Sequence, residues 1–242
     1  MRLRILHTTT YRYDPAATSV IQILRITPGS HDGQYVAEWQ IETHDTGGVL
    51  RGTNERFPSG LFLRSTPLTE VNPAMASFAR ELRAEAESDT LGFLHSLMTQ
   101  ISEHMTFDED PTNSGTSAVE AFTLKRGVCQ DYAHIFIACA RTGGVPARFV
   151  SGHFLRSDGA EHQEAGHAWA EAFVPDLGWV GFDPANCVCS TDAHVRVAIG
   201  LDYLGAAPVR GTRYGGGAET LNVAVKVEQA GRSGQWQSQS QG

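Results

Sequence analysis

The sequence predicts an α+β fold, and three patterns carry that prediction: strand-rich residues over the first 70 positions, a helical middle, and strand patterning again after Val145. In the first part, Leu3, Ile5, the Thr8–Tyr13 run, Val20–Ile26 and Tyr35–Ile41 are separated by turn signals such as Pro28-Gly29 and Asp45-Thr46-Gly47-Gly48. Pro73 then stands where a first helical residue is tolerated. Ala74–Glu87 follows, rich in Ala, Glu, Leu and Arg, with no interior Gly or Pro. A second helix is expected from Thr90 to Met105, where Phe93, Leu94, Leu97, Ile101 and Met105 recur at helical spacing despite Gly92. Ser117 and Glu120 fit a capping box that starts a short helix through Leu124.

From Val145 onward, strands are expected at Ala147–Phe154, His167–Val174, Trp179–Asp183 and Leu221–Val227, all assigned to a C-terminal sheet. These patterns divide the chain into a β-rich region over 1–70, a core over 71–229 and a tail over 230–242. The tail is Gln, Ser and Gly with a single Trp236, too little apolar area to offset the entropy of ordering it, so disorder is expected there.

Composition narrows the function. With 242 residues, 41% of them hydrophobic, the chain can bury a core, and its formal charge of -8 disfavours nucleic acid or an anionic membrane as partner. Apolar runs such as Ile135–Ala140 fall far short of the roughly 20 residues that cross a bilayer. The opening MRLRILHTTTYRY reads as an amphipathic strand and lacks the apolar stretch of a signal peptide, so a cytoplasmic protein is expected. Accordingly, the four cysteines, Cys129, Cys139, Cys187 and Cys189, are read as thiols.

One of those thiols stands out by position. Cys129, Ala133, Phe136, Ile137 and Ala140 share a helical face, and Gly143-Gly144 supplies the stop, so Cys129 opens a helix on its inward side. Free N–H groups and the helix dipole at that end favour a thiolate over a thiol of pKa about 8.5. A small buried hydrophobe would look the same. What separates the two readings is a base and its orienting group. His167, Trp169 and Glu171 share one face of a predicted strand, and the turn Pro175-Asp176-Leu177-Gly178 returns the chain so that Trp179, Gly181 and Asp183 run beside it. A hairpin thus brings Asp183 near His167, opposite or diagonal according to a register that alternation alone leaves open.

These segments resemble the bacterial transglutaminase-like proteins, relatives of the papain-like cysteine peptidases. The resemblance rests on Arg126-Gly-Val-Cys129-Gln-Asp-Tyr-Ala-His134, Gly143-Gly-Val-Pro-Ala-Arg-Phe-Val-Ser-Gly152, His167-Ala-Trp-Ala-Glu171, and Gly178-Trp-Val-Gly-Phe-Asp-Pro184 with Asn186. Arg2–Tyr13 is similar to the β-rich N-terminal region that accompanies this core, and His194–Tyr203 through Gly211 to its C-terminal continuation. Two positions depart from the pattern: Gly166 stands where Ser is expected, and Ala185 where Thr is. The resemblance implies a papain-like core with the Cys129 helix against an antiparallel sheet, Cys129 as nucleophile, His167 as general base and acid, and Asp183 as its orienter. It implies a protein or peptide amide substrate opened through a thioester, by a cysteine protease or amidase. A protein-glutamine transglutaminase and a non-catalytic peptide-binding module are the alternatives.

For the oxyanion, the backbone N–H of Cys129 is preferred to the Gln130 side chain. Trp169 and Trp179 read as core, and His134, His153 and His162 as structural, with Asp131 one turn before His134 a possible partner for it. Cys187-Val-Cys189 has no second pair at zinc-site spacing, and Asp108-Glu109-Asp110 lacks the Gly and terminal Glu of a calcium loop. No metal and no cofactor are implied.

Overall fold

A computed structural model describes residues 1–31, 33–42, 57–156, 158–163 and 165–230. The chain begins with β1 (Leu3–Asp14) and β2 (Ala17–Leu24), followed by α1 (Pro73–Glu85), α2 (Thr90–His104), the short β3 (Thr106–Phe107), α3 (Ala118–Leu124) and β4 (Arg126–Gly127). Next come α4 (Cys129–Thr142), β5 (Ala147–Phe154), β6 (His162–Gln163), β7 (His167–Val174), β8 (Gly178–Asp183) and β9 (Val188–Cys189). It closes with β10 (His194–Gly200), the single-turn α5 (Tyr203–Ala206), β11 (Val209–Gly215) and β12 (Ala218–Gln229). The architecture is α+β, as the sequence predicts.

Local chemistry sets the helix starts. Asn72 accepts from the Met75 N–H at 2.9 Å ahead of Pro73, and Asp89 accepts from the Gly92 N–H at 2.8 Å. A Cβ on Gly92 would lie 2.4 Å from the Asp89 carboxylate, which accounts for a glycine inside an otherwise periodic helix. Ser117 and Glu120 form the expected reciprocal box at α3, whose end is turned by Lys125 at φ 58.

The core lies around α4. Its buried Ala133, Phe136, Ile137 and Ala140 meet Met75 and Ala79 of α1, Phe93, Leu94, Leu97 and Ile101 of α2, and the sheet. That sheet is antiparallel in the order β10-β5-β7-β8-β9. Toward α4 it turns Ala168, Ala170 and Ala172, whose small side chains let the helix approach, flanked by Phe149 and Phe182. The Phe136 and Phe182 rings stack at 5.2 Å. Each fully buried Phe contributes roughly 1.5–3 kcal/mol. The opposite sheet face carries His167, Trp169 and Glu171, so the alternation in β7 separates packing residues from candidate chemical ones.

Two expectations fail, for identifiable reasons. Leu221–Val227 is a strand but does not join this sheet: β12 pairs with β1 from Leu3↔Gln229 to Asp14↔Ala218. Likewise β2 pairs with β11, so the two ends of the chain form one long ribbon, bent where Gly215 and Gly216 adopt φ of 73° and 77°. Alternation marks a strand without naming its partner, and here the strand-rich start finds its partners some 200 residues away. Tyr35–Ile41 is not a strand. In its place the Gln34 amide bonds the backbone of edge strand β10 at Arg196 twice, at 2.9 and 2.8 Å, satisfying groups that a paired strand would have used. The turn at Asp45–Gly48 and the tail from 231 lie outside the described residues. Among those described, no helix is long and apolar enough to cross a membrane.

Candidate active site

The site forms where the first residue of α4 meets the first residue of β7. Cys129 is half-buried there and is held by Asp131, which is 1% exposed. Asp131 Oδ2 accepts from the Val128 N–H at 2.8 Å and from Thr112 Oγ1 at 2.8 Å, tying the entry of α4 to the loop that crosses it. Burial raises the Asp131 pKa, and these two hydrogen bonds oppose the rise. Asp131 is not a partner of His134, whose Nε2 accepts from the Tyr203 N–H at 3.1 Å. Burial pushes His134 down to about 4, as a structural imidazole.

Cys129 and Asp183 both act on the His167 ring to favour its protonated form. Its Nε2 lies 2.6 Å from Asp183 Oδ2, which leaves Nδ1 as the ring nitrogen for the thiol. The hairpin register pairs Ala170 with Phe182, so Asp183 stands on the row of Trp169 and reaches His167 diagonally, the alternative that alternation left open. Burial lowers the His167 pKa, but the Asp183 carboxylate and Cys129 outweigh it and hold the ring up at about 10. For Asp183, burial acts to raise the pKa. Hydrogen bonds from His167, His194 and Asn186 prevail and keep the group an anion far below the usual carboxylate range.

His194 is the member that sequence reasoning missed. It sits on β10, which neighbours neither β7 nor β8, and no spacing rule connects it to Asp183. Yet its Nε2 lies 3.2 Å from Asp183 Oδ2, and its side chain is 2% exposed. Asn186 completes the shell: its Nδ2 donates to Oδ2 at 2.8 Å and its backbone N–H to Oδ1 at 3.2 Å. Trp169 stacks beside His167 at 5.9 Å and meets His194 edge-on at 5.2 Å. It is a buried core residue, as expected, and lies directly behind the site. A Cβ on Gly152 would fall 2.7 Å from the Trp169 ring and 2.1 Å from the Val195 carbonyl, so that residue must be glycine. Trp179 is remote from this cluster, under the Arg148 guanidinium at 3.9 Å, where Arg148 pairs with Glu171.

The Gln130 amide points at the Ser114 carbonyl, 3.4 Å away, whereas the Cys129 N–H stands at a helix start where no intrahelical acceptor exists. His167, Asp183 and His194 converge closely enough to raise a metal-binding reading. The protons argue otherwise: the Thr191 N–H points at His194 Nδ1 at 3.1 Å, so Nε2 keeps its hydrogen and has no lone pair for a cation. All four cysteines are free, Cys187 exposed and Cys189 half-buried. A cleft of about 4100 Å³ opens over the site, lined by Val128, Cys129, Phe154 and His167 from the core and by His7 and Thr9 from β1.

This fold, with thiol, imidazole and carboxylate gathered at the start of α4, is that of a transglutaminase-like core. Residues 76–184 match the transglutaminase-like superfamily and residues 3–54 the bacterial transglutaminase-like N-terminal region, so the chain carries both of these family domains. An uncharacterized protein of Mycobacterium leprae is 27% identical over 93% of this chain and 98% of its own length. A protein-glutamine gamma-glutamyltransferase of Pseudomonas aeruginosa is 30% identical over 60% of this chain, a match that spans 24% of that protein. Among solved structures, a candidate cysteine protease from Cytophaga hutchinsonii superposes with a TM-score of 0.52 at 18% identity, covering 96% of this chain and 81% of that one, a likeness of fold.

Proposed function

We propose that the chain is a cysteine-nucleophile acyl-transfer enzyme that opens an amide or peptide bond and releases the acyl group to water. The observation that carries this reading is the convergence of Cys129 and Asp183 on the two sides of the His167 ring. The Cys129 sulfur attacks the carbonyl carbon, and the oxyanion that develops takes the Cys129 N–H at the helix start. As the C–N bond breaks, His167 gives its proton to the departing amine, leaving an acyl-thioester and a neutral ring. Water then adds to the thioester, passing a proton to His167, and the C–S bond breaks to free the acid and the Cys129 thiolate beside a recharged imidazolium. Asp183 holds the ring and favours its charged form throughout.

A cleft of about 4100 Å³ is several times the volume of an ordinary small-molecule pocket, which favours an extended peptide or protein as substrate. Water is the favoured acceptor because the cleft is open beside Cys129. The gamma-glutamyltransferase relative supports transfer to a primary amine as the second reading. The test is to incubate the protein and its Cys129→Ala variant with peptide amide libraries, with and without an added primary amine, and follow products by mass. Cys129-dependent free acid in the absence of amine supports hydrolysis, and amine adducts alone transfer that preference to the transglutaminase reading. An unchanged product pattern in Cys129→Ala overturns the enzyme reading in favour of a binding module.

A further inference from the structure

His194 is buried, polar and aimed at the carboxylate that orients His167, although it belongs to a strand on the far side of β5. Its own orientation is fixed with unusual completeness. Thr191 and His194 close a tight turn, with the His194 N–H donating to the Thr191 carbonyl at 3.0 Å and the Thr191 N–H donating back to His194 Nδ1 at 3.1 Å. The Ala193 N–H bonds Thr191 Oγ1 at 3.2 Å, which tightens the same turn. Phe154 packs on the ring at 4.5 Å and Trp169 at 5.2 Å. On the intervening strand, Gly152 presents no side chain to this face. A ring that accepts at Nδ1 must donate at Nε2, and the atom in front of Nε2 is Asp183 Oδ2.

We propose that His194 is a positioning residue, which acts through Asp183 to keep the carboxylate turned toward His167 and so extends the site to Cys129, His167, Asp183 and His194. The proposal rests on the acyl-transfer reading above for its consequence, and on geometry alone for the contact. Asp183 is completely buried, so each of its lone pairs needs a donor. Without His194, Oδ2 keeps only His167 and Asn186. The carboxylate then turns to recover a partner, and the imidazolium loses its alignment with Cys129. His194 stands in the cleft wall with its side chain 2% exposed, and its Nε2 meets Asp183. Its role is the one outer partners play for metal-bound histidines, where removal typically costs about 10–100-fold.

The test compares His194→Phe, which keeps ring packing without the donor, with His194→Gln, whose amide places an N–H near the former Nε2. The probe is iodoacetamide, with alkylation of the Cys129 peptide timed by mass mapping so that exposed Cys187 does not interfere. Expected is a fall of about 10-fold or more in Cys129 alkylation at neutral pH in His194→Phe, and recovery to within about three-fold in His194→Gln. In parallel, the pH at which His167 loses its proton, followed by side-chain nitrogen NMR, moves down in Phe and returns in Gln. Wild-type protein supplies a variant-free arm, in which His194 is expected as the Nε2–H tautomer. An Nδ1–H tautomer overturns the proposal, as does a folded His194→Phe with wild-type alkylation and His167 titration, or a Gln variant as impaired as Phe. If Cys129→Ala instead leaves peptide products unchanged, the acyl-transfer reading fails while the tautomer and titration results still judge the contact.

Discussion

His167 Nε2 and Asp183 Oδ2 meet at 2.6 Å along a diagonal of the β7–β8 hairpin, with neither side chain on the other's hydrogen-bonded row. A diagonal pair depends on the carboxylate accepting a proton-bearing nitrogen, and Asn in its place puts an amide against that nitrogen. Asp183→Asn is therefore expected to keep the fold and to lower turnover by about 100-fold or more, by analogy with the serine-protease triad, where the equivalent change costs about 10⁴. Turnover and thermal midpoint measured together check this, and a wild-type rate in a folded Asn variant contradicts it.

The raised His167 pKa sets the alkaline limit of the proposed reaction. The leaving amine needs the imidazolium proton, so the rate should hold through neutral pH and fall as pH rises through about 10. Stability follows the same sign. Folding binds a proton on His167 that the unfolded chain releases near 6.5, so this contribution is complete below 6.5 and is lost as pH climbs to about 10. Rate profiles and thermal midpoints between pH 6 and 10.5 test both halves, and a His167→Ala variant should lack the stability slope.

Much of this arrangement is legible in the sequence because it depends on local periodicity. Cys129 at a helix start, His167 at a strand start and Asp183 at the end of its return strand follow from spacing and turn signals. His194 does not, since its link to Asp183 is made by sheet order, and alternation carries no information about which strands are neighbours. The same limit explains β12, which was readable as a strand and unreadable as the partner of β1. Asp131 belongs to a third kind: its nearest sequence partner by helical spacing was His134, while its actual partners, Thr112 and the Val128 N–H, depend on a loop crossing that has no periodic signal.

Asp131 accordingly gives a separate prediction. Removing its carboxylate leaves the half-buried Val128 N–H and Thr112 hydroxyl without this acceptor at the entry to α4. Asp131→Ala is expected to cost about 1–3 kcal/mol in stability, the range for unsatisfied buried donors, and to lower Cys129 reactivity because the thiol's helix turn loosens. Gly127→Ala should do the same by sterics, since its Cβ would meet Asp131 Oδ2 at 2.4 Å. Denaturant unfolding paired with Cys129 alkylation checks both variants. Equal stability with intact reactivity would remove Asp131 from this role.

On the acid side, the protein should weaken well before its carboxylates titrate, because of two buried histidines. Burial pushes His134 down to about 4, and burial together with the neighbouring His7 does the same to His153, whose ring meets His7 edge-on at 5.4 Å. Above pH 6.5 both are neutral in the folded and unfolded chains, and they add no slope. Below it the unfolded chain takes up protons that the folded rings refuse until about pH 4, so stability falls across that window by on the order of 3 kcal/mol for each ring and then levels off. His153→Phe, which cannot take the proton in either state, should remove about half of that slope. His134 is the worse site for the experiment, because its Nε2 also satisfies the Tyr203 N–H. Urea unfolding from pH 7 to pH 4 measures the slope directly, and a His153→Phe curve parallel to wild type would show that this ring is not what makes the protein acid-sensitive.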